Sequence, residues 1–280
     1  MEVLKIKNLC KKYDNFYLNN VSFTIDKGKI MGFIGRNGAG KSTTFKSMLN
    51  FVHSDSGDII FFGEKFNEKE FNIKQRIGFV SGGIDYYPKK KLSVITEVTK
   101  QFYKRWDEEA YKRYMKLFKL VEDKTPDELS AGMKIKYSLV LALSHNAELL
   151  ILDEPTSGLD PISREELLDI FLDLANKGIS ILFSTHIISD IEKCADNITY
   201  IKNGQVLVSD DIREFISKYK VINIEKEDLK GELKKDIIGY RRCKNGYTAL
   251  VEAKVADKNK LNAIEADLES IIVHFEKEEI

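Results

Sequence analysis

Gly35-Arg36-Asn37-Gly38-Ala39-Gly40-Lys41-Ser42 is the stretch that decides the fold. It matches G-x-x-x-x-G-K-[ST]. The apolar run Ile30–Ile34 before it reads as a buried strand, and residues 41–49 after it read as a helix. The glycines at 35, 38 and 40 let the backbone curl so that N–H groups, including those of Asn37 and Ala39, point inward at phosphate oxygens. The helix that follows adds the positive end of its dipole. Lys41 is placed to span the β- and γ-phosphates of a nucleotide, the Ser42 hydroxyl to bind Mg²⁺, and Thr43 to add a phosphate contact.

A second pattern answers the first. Leu149-Leu150-Ile151-Leu152-Asp153-Glu154 is an apolar run that ends in two carboxylates. It suits a buried parallel strand delivering charge at the carboxyl edge of an open α/β sheet, where such folds bind ligands. Asp153 there would hold Mg²⁺ through a water. Glu154 would orient and polarise the water that attacks the γ-phosphorus.

Composition narrows the classes around this core. The 280 residues carry 44 Lys+Arg against 44 Asp+Glu, so no basic excess exists for a nucleic-acid backbone, and no nucleic-acid partner is expected. Hydrophobic residues at 43% and charged residues at 31% are an ordinary globular balance. The three cysteines, Cys10, Cys194 and Cys243, are far apart with no CxxC, which points to reduced thiols. No apolar run approaches the roughly 20 residues needed to cross a bilayer, and the start lacks a signal-peptide pattern. The expectation is a cytoplasmic protein that meets a membrane only through a partner.

Along the chain, residues 2–7 and 21–25 alternate as half-buried strands do, and 57–63 and 76–80 read as further strands. From about 94 to 122 the pattern is helical, with Val94, Val98 and Phe102 at four-residue steps. Asp107-Glu108-Glu109 suits a helix start. Residues 161–176 read as a helix between the strands Leu149–Asp153 and Ile179–Ser184. After 210 the texture changes. Residues 221–226, 237–243 and 247–255 read as strands around an Asn245-Gly246 turn, 258–268 as an amphipathic helix and 270–275 as a final strand.

Four motifs in order, Gly35–Ser42, Leu129-Ser130-Ala131-Gly132-Met133, Leu152–Asp160 and Ser184-Thr185-His186, make the sequence resemble the ATP-binding subunit of the ABC transporter family over about residues 2–210. The resemblance implies an α/β fold: a P-loop NTPase of the ABC type with an antiparallel β subdomain, a helical subdomain at about 84–146 and a small α+β C-terminal extension. The domains would be 1–210, the ATP-binding domain, and 211–280, an accessory domain. It implies ATP and Mg²⁺ as ligands. It puts Tyr13 on the adenine, although a core tyrosine is the other reading. It makes His186 a switch residue at the γ-phosphate and sets Asp160 at a dimer interface. Ser130, well suited as an N-cap, and Gly132 would face the γ-phosphate of a second nucleotide-binding subunit, either identical or a paralogue.

Two departures stand out. The family's usual Leu-Ser-Gly-Gly-Gln appears here with Ala131 and Met133, and Gly82 stands where a Gln is usual. Gln75 is wrongly placed to substitute, and Asp85 is a weak substitute. The resemblance also implies a transmembrane permease subunit docking on the region from Ser81 to about 128. There Tyr86, Tyr87, Pro88, Phe102, Tyr103 and Trp106 offer anchors, or pack the subdomain's own core. That partner would hold the chain at the inner face of the cell membrane. A softer likeness is to the ATPases of bacterial ABC-2-type exporters, including the acetoin-type and antimicrobial-peptide systems, with peptide or other amphipathic cargo. A soluble ABC-type ATPase and a low-turnover regulatory nucleotide-binding module are the alternatives.

Overall fold

In the computed structural model, Ile30–Ile34 is a fully buried strand inside a six-stranded sheet. The structure describes residues 1–82, 87–225, 232–243 and 246–276. The chain divides into two compact units, Met1–Ser209 and Asp210–Ile280. In order, the first unit runs β1 (Glu2–Tyr13), β2 (Phe16–Asp26), β3 (Ile30–Ile34), α1 (Lys41–Met48), β4 (Ser56–Phe61), β5 (Glu64–Lys65), α2 (Phe66–Lys74) and β6 (Ile77–Ser81). Then come α3 (Leu92–Lys100), α4 (Glu108–Leu117), α5 (Ala131–Ser144), β7 (Leu149–Asp153), α6 (Pro161–Asn176), β8 (Ser180–Thr185), α7 (Ile188–Cys194), β9 (Asn197–Lys202) and β10 (Gln205–Asp211). The second unit continues with α8 (Ile212–Ser217), β11 (Tyr219–Ile224), β12 (Ile237–Cys243), β13 (Gly246–Glu252), α9 (Ala253–Lys258), β14 (Ala263–Glu265) and α10 (Leu268–Glu276).

The six-stranded sheet has the order β10-β9-β3-β8-β7-β6. The pairs β3–β8, β3–β9, β7–β8 and β6–β7 are parallel. Register fixes what meets at the carboxyl edge: Ile34 lies beside Thr185, and Ser81 beside Asp153. The segments after β3, β6, β7 and β8 therefore leave the sheet at one edge. A second sheet, β2-β1-β4-β5, is antiparallel. Its apolar face meets α1 and the main sheet in one core, with Phe33 packed between Phe23 and Phe45 at ring distances of 5.3 and 5.5 Å.

The helical segment has its own starts and anchors. Asp107 caps α4 by accepting from Ala110 N–H, and Glu108 and Glu109 follow in the first turn. Tyr103 and Trp106, read as partner anchors, are engaged within the subdomain. Tyr103 stacks on His145 at 3.8 Å, and Trp106 donates to Glu108 at 3.0 Å and packs on Tyr111. Phe102 and Tyr87 are exposed. Tyr86 and Asp85 lie outside the described residues.

The second unit is a four-stranded sheet of order β12-β13-β11-β14 whose pairs are antiparallel. Two expectations are corrected here. Residues 258–268 are not one helix: α9 ends at Lys258, and Ala263–Glu265 is a strand on β11. Residues 270–275 are not a strand but part of α10, which buries Leu268, Ile271 and Ile272 at helical spacing. Phe275 of α10 packs on Phe215 and Tyr219. The 247–255 strand stops at Glu252. Gly246 opens β13, and Asn245 lies outside the described residues.

His145, at the end of α5, is buried with its Nδ1 3.3 Å from the Gln75 carbonyl, and burial lowers its pKa from 6.5 to about 4. Above pH 6.5 neither the folded nor the unfolded chain protonates this ring. Between pH 6.5 and 4 the unfolded chain binds a proton that the folded chain refuses, so stability falls as pH drops. The loss accumulates to roughly 3 kcal/mol below pH 4. Urea unfolding at a series of pH values should show this acid-side slope, and His145→Gln should flatten it by up to one proton.

Candidate functional site

Gly40 caps α1 at φ +114°, with no side-chain cap and no acidic residue in the first turn. The free N–H groups at this helix start therefore meet no competing negative charge from their own helix. A Cβ at Gly40 would lie 2.9 Å from Phe16 Cζ, and Gly38 sits at φ +83°, so these two positions demand glycine on conformation, and Gly40 on space as well. The loop closes on itself through Ala39 N–H to the Arg36 carbonyl at 3.0 Å and Thr44 Oγ1 to the Gly40 carbonyl at 2.9 Å.

Lys41 is almost wholly buried, and its ammonium donates to the Gly35 carbonyl at 2.7 Å. The same Nζ lies 3.0 Å from Glu154 Oε1. On the other carboxylate oxygen, Glu154 Oε2, His186 Nδ1 stands at 2.9 Å. Glu154 thus bridges the residue that opens α1 and the one that follows β8. Its backbone sits at φ +51°, a left-handed conformation uncommon for a side-chain-bearing residue, so local strain is held at this position.

Ser184 explains how that turn is held. Glu154 N–H donates to Ser184 Oγ at 2.8 Å, and the same hydroxyl donates to Asp153 Oδ1 at 2.6 Å. One buried serine of β8 fixes both carboxylate residues of the neighbouring strand end.

These groups open on a cavity of about 550 Å³ lined by Tyr13, Phe16, Arg36, Asn37, Gly38, Gly40, Lys41, Ser42, Thr43, Glu154, Ser157 and His186. Tyr13 and Phe16 face each other across the two-residue β1–β2 turn, which brings an aromatic pair to the cavity wall. Tyr13 is 42% exposed, so it is not a core tyrosine. Gly35 and Ala39 lie in the loop behind the lining, and Asp153 is buried just before Glu154. Phe16 lies outside the quoted motifs, whereas Arg36, Ser157 and the supporting Ser184 stand inside them with no role assigned by the motif reading. The signal for Phe16 is its pairing with Tyr13 across the turn, and that for Ser184 its place on the strand beside Asp153.

Ser130, Asp160 and Gly132, three further expected residues, are also absent from the lining. Ser130 is exposed and caps α5 by accepting from Met133 N–H at 3.3 Å. Asp160 caps α6, accepting from Ile162 and Ser163 N–H at 3.0 Å, and the Ser163 bonds hold its carboxyl below the usual range. Gly132 faces the start of α6, where an added Cβ would meet Ser163 only at ordinary contact distance, 3.5 Å. Packing inside this chain therefore gives no reason for glycine at 132. At Gly82 the space beside the backbone is open, and Gln75 spends its amide on Phe102 and Lys104 of the helical segment.

The donor set fits Mg²⁺ modestly. Among the described residues no cluster of three or more His, Cys, Asp or Glu forms a metal cage. A serine hydroxyl at the loop and an aspartate oriented by Ser184 supply hard oxygens of the kind a phosphate-bound Mg²⁺ uses alongside water.

Ser184→Ala should leave a buried carboxylate oxygen and an amide without partners. Denaturant unfolding should show a loss of about 1–3 kcal/mol. ATP turnover, which the motif resemblance implies, should fall about tenfold or more, because the same serine orients the residue expected to activate the attacking water.

Comparison with known proteins agrees with this geometry. The ABC transporter family model matches residues 18–157. The chain is 32% identical over 219 residues to the ABC transporter ATP-binding protein YtrB of Bacillus subtilis, covering 78% of this chain and 75% of that one. It is 36% identical over 212 residues to the lantibiotic transport ATP-binding protein SrtF of Streptococcus pyogenes, covering 74% and 90%. A solved ATP-binding subunit of an ABC transporter superposes with a TM-score of 0.68 at 28% identity, over 76% of this chain and 93% of its own. A glycine loop, an acidic strand end and a histidine gathered on one cavity, in a chain so matched along most of its length, belong to a member of the ABC transporter family, an ATP-binding subunit whose ATPase activity is coupled to transport.

Proposed function

We propose that this chain powers a membrane exporter by closing and reopening a pair of ATP-binding subunits, with Glu154 as the group that activates the hydrolytic water. The observation that carries the reading is Glu154 held between Lys41 and His186 at 3.0 and 2.9 Å on the wall of one cavity. A triphosphate entering that cavity competes for Lys41 and repels the Glu154 carboxylate. Lys41 turns to the phosphates, and Glu154 is released to accept a proton from water. His186 contacts the γ-phosphate, Tyr13 stacks on the adenine, and the loop from Gly35 to Thr43 cradles the phosphates. Ser42 and Asp153 would hold Mg²⁺, whose chemistry there is to neutralise charge on the phosphate oxygens.

The exposed Ser130 end of α5 supports a second half to the site. The helix start carries no acidic residue in its first turn, and Gly132 answers to nothing inside its own chain. Both halves are present in this one sequence, so two copies related by a two-fold axis make two equal sites. Asp160 would shape the opposite site from the same face. ATP then does work through its different affinity for the closed and open pairs.

The exposed Phe102 and Tyr87 suit a permease subunit docked on the helical segment, which holds the chain at the cytoplasmic face of the membrane. Among the described residues no helix is long and apolar enough to cross a membrane itself. Export of a peptide or other amphipathic cargo is the reading that the lantibiotic-transport relative favours. The accessory unit from 211 onward is read as a separate module of the chain.

Glu154→Gln should reduce steady-state ATP hydrolysis by at least about 100-fold while ATP binds as tightly as before or tighter, because a repelling carboxylate is gone. Turnover in the wild type no faster than in this variant would favour a low-turnover nucleotide-binding module instead, the reading motivated by Gly82, Ala131 and Met133.

A further inference from the structure

Among the described residues, four buried side-chain polar atoms lack a hydrogen-bond partner, and three of them meet at one place: Thr156 Oγ1, Arg164 Nε and Asp190 Oδ2. Thr156 and Asp190 are 0% and 1% exposed, while the Arg164 side chain is 28% exposed with its Nε buried. Arg164 Nε stands 4.0 Å from Asp190 Oδ1, an ion pair too long for a hydrogen bond. The Thr156 hydroxyl faces the Asp190 carboxylate and favours its charged form without completing a bond to it. Burial pushes the Asp190 carboxyl up, against the pull of Thr156 and Arg164. Buried polar groups are costly when unpaired and are rarely left so, and three together call for a reason.

Their positions supply one. Thr156 is two residues beyond Glu154, in the loop that leaves β7. Asp190 is four residues beyond His186, in α7. Arg164 is one turn into α6, past the Asp160 cap. The cluster therefore ties the loop of Glu154, the segment of His186 and the start of α6 in one buried spot. α6 is in turn tied to α5 and α7. Lys136 of α5 bonds Glu166 at 2.6 Å, Lys193 of α7 pairs with Glu165 and Asp169, and the α6 start lies against Gly132. An ion pair 4.0 Å long at such a junction stands about 1 Å short of a bonded arrangement.

We propose that Thr156, Arg164 and Asp190 are positioning residues for hydrolysis, a buried latch that tightens when α6 shifts and so sets Glu154 and His186 against the γ-phosphate. The proposal rests on the roles read for Glu154 and His186 above. It predicts that the latch acts on the rate of the chemical step, with little effect on nucleotide binding.

The test is steady-state ATP hydrolysis by the full chain, with thermal unfolding of each variant. Asp190→Asn, Arg164→Met and Thr156→Val should each lower kcat about tenfold or more with KM for ATP within about twofold of wild type. Thr156→Ser, which keeps the hydroxyl, should restore most of the rate lost in Thr156→Val. The apolar double variant Arg164→Met/Asp190→Leu separates positioning from mere stability, since replacing a buried ion pair by apolar groups often leaves stability unharmed. It should melt near wild type and remain slow. A double variant that regains wild-type kcat overturns the proposal, as does an Asp190→Asn kcat within twofold of wild type, or equal slowness of Thr156→Ser and Thr156→Val. Glu154→Gln is measured alongside. Full activity in Asp190→Asn beside a silent Glu154→Gln removes the latch alone, whereas activity surviving in Glu154→Gln removes both the latch and the reading beneath it.

Discussion

The Glu154 carboxylate, shared between Lys41 Nζ and His186 Nδ1, is the contact around which the rest of the first unit is arranged. Three parallel strands must end in register for it to exist. β3 delivers the glycine loop, β7 delivers Asp153 and Glu154, and β8 delivers Ser184, Thr185 and His186. A one-residue slip in any of these pairs would turn side chains to the opposite face of the sheet. The strained φ of Glu154 survives because Ser184 binds its N–H from the next strand. An incoming triphosphate meets a lysine that already has a partner, so on the proposed reading nucleotide binding and release of the Glu154 carboxylate are one event in electrostatic terms.

In the proposed function that cavity is half of a site. The other motif expected at a γ-phosphate, the Ser130 cap and Gly132, sits at the exposed start of α5 beside the start of α6. A helix start with free N–H groups and no acidic residue in its first turn is suited to an anion. Asp160 spends its carboxylate on capping α6, so what it offers a neighbour is the geometry it fixes. In this view α6 is the lever between the face that meets a second copy and the loops that meet the phosphates.

Much of the first unit is legible in the sequence. Ile30–Ile34, Leu149–Leu152 and Ile181–Phe183 are continuous apolar runs, as suits short strands buried on both faces. The loop glycines and Lys41 sit at fixed spacing because phosphate geometry is fixed. The roles that motif spacing does not assign depend on the fold. Phe16 comes to the wall through a two-residue turn, and Ser184 acts through β-register with Asp153. In the helical segment, Tyr103 and Trp106 are indistinguishable by sequence from exposed Phe102, and only His145 and Glu108 opposite them decide burial. The tail misled for a different reason. Ile271, Ile272 and Val273 are β-branched and suggest a strand, yet Leu268, Ile271, Ile272 and Phe275 recur at helical spacing, and tertiary burial followed that period. Ala263–Glu265 is a strand because β11 offers it an edge, which no local pattern records.

The central claim is that the glycine loop of one copy and the Ser130 end of another make a working site together. Subunit complementation tests it most directly. Lys41→Ala spoils the loop and leaves the Ser130 end intact, while Ser130→Arg does the reverse. Each variant alone should be inactive in ATP hydrolysis. An equimolar mixture should regain activity, because each mixed pair contains one intact loop facing one intact Ser130 end. A mixture as inactive as its parts, under conditions where the wild type turns over ATP, would contradict the account.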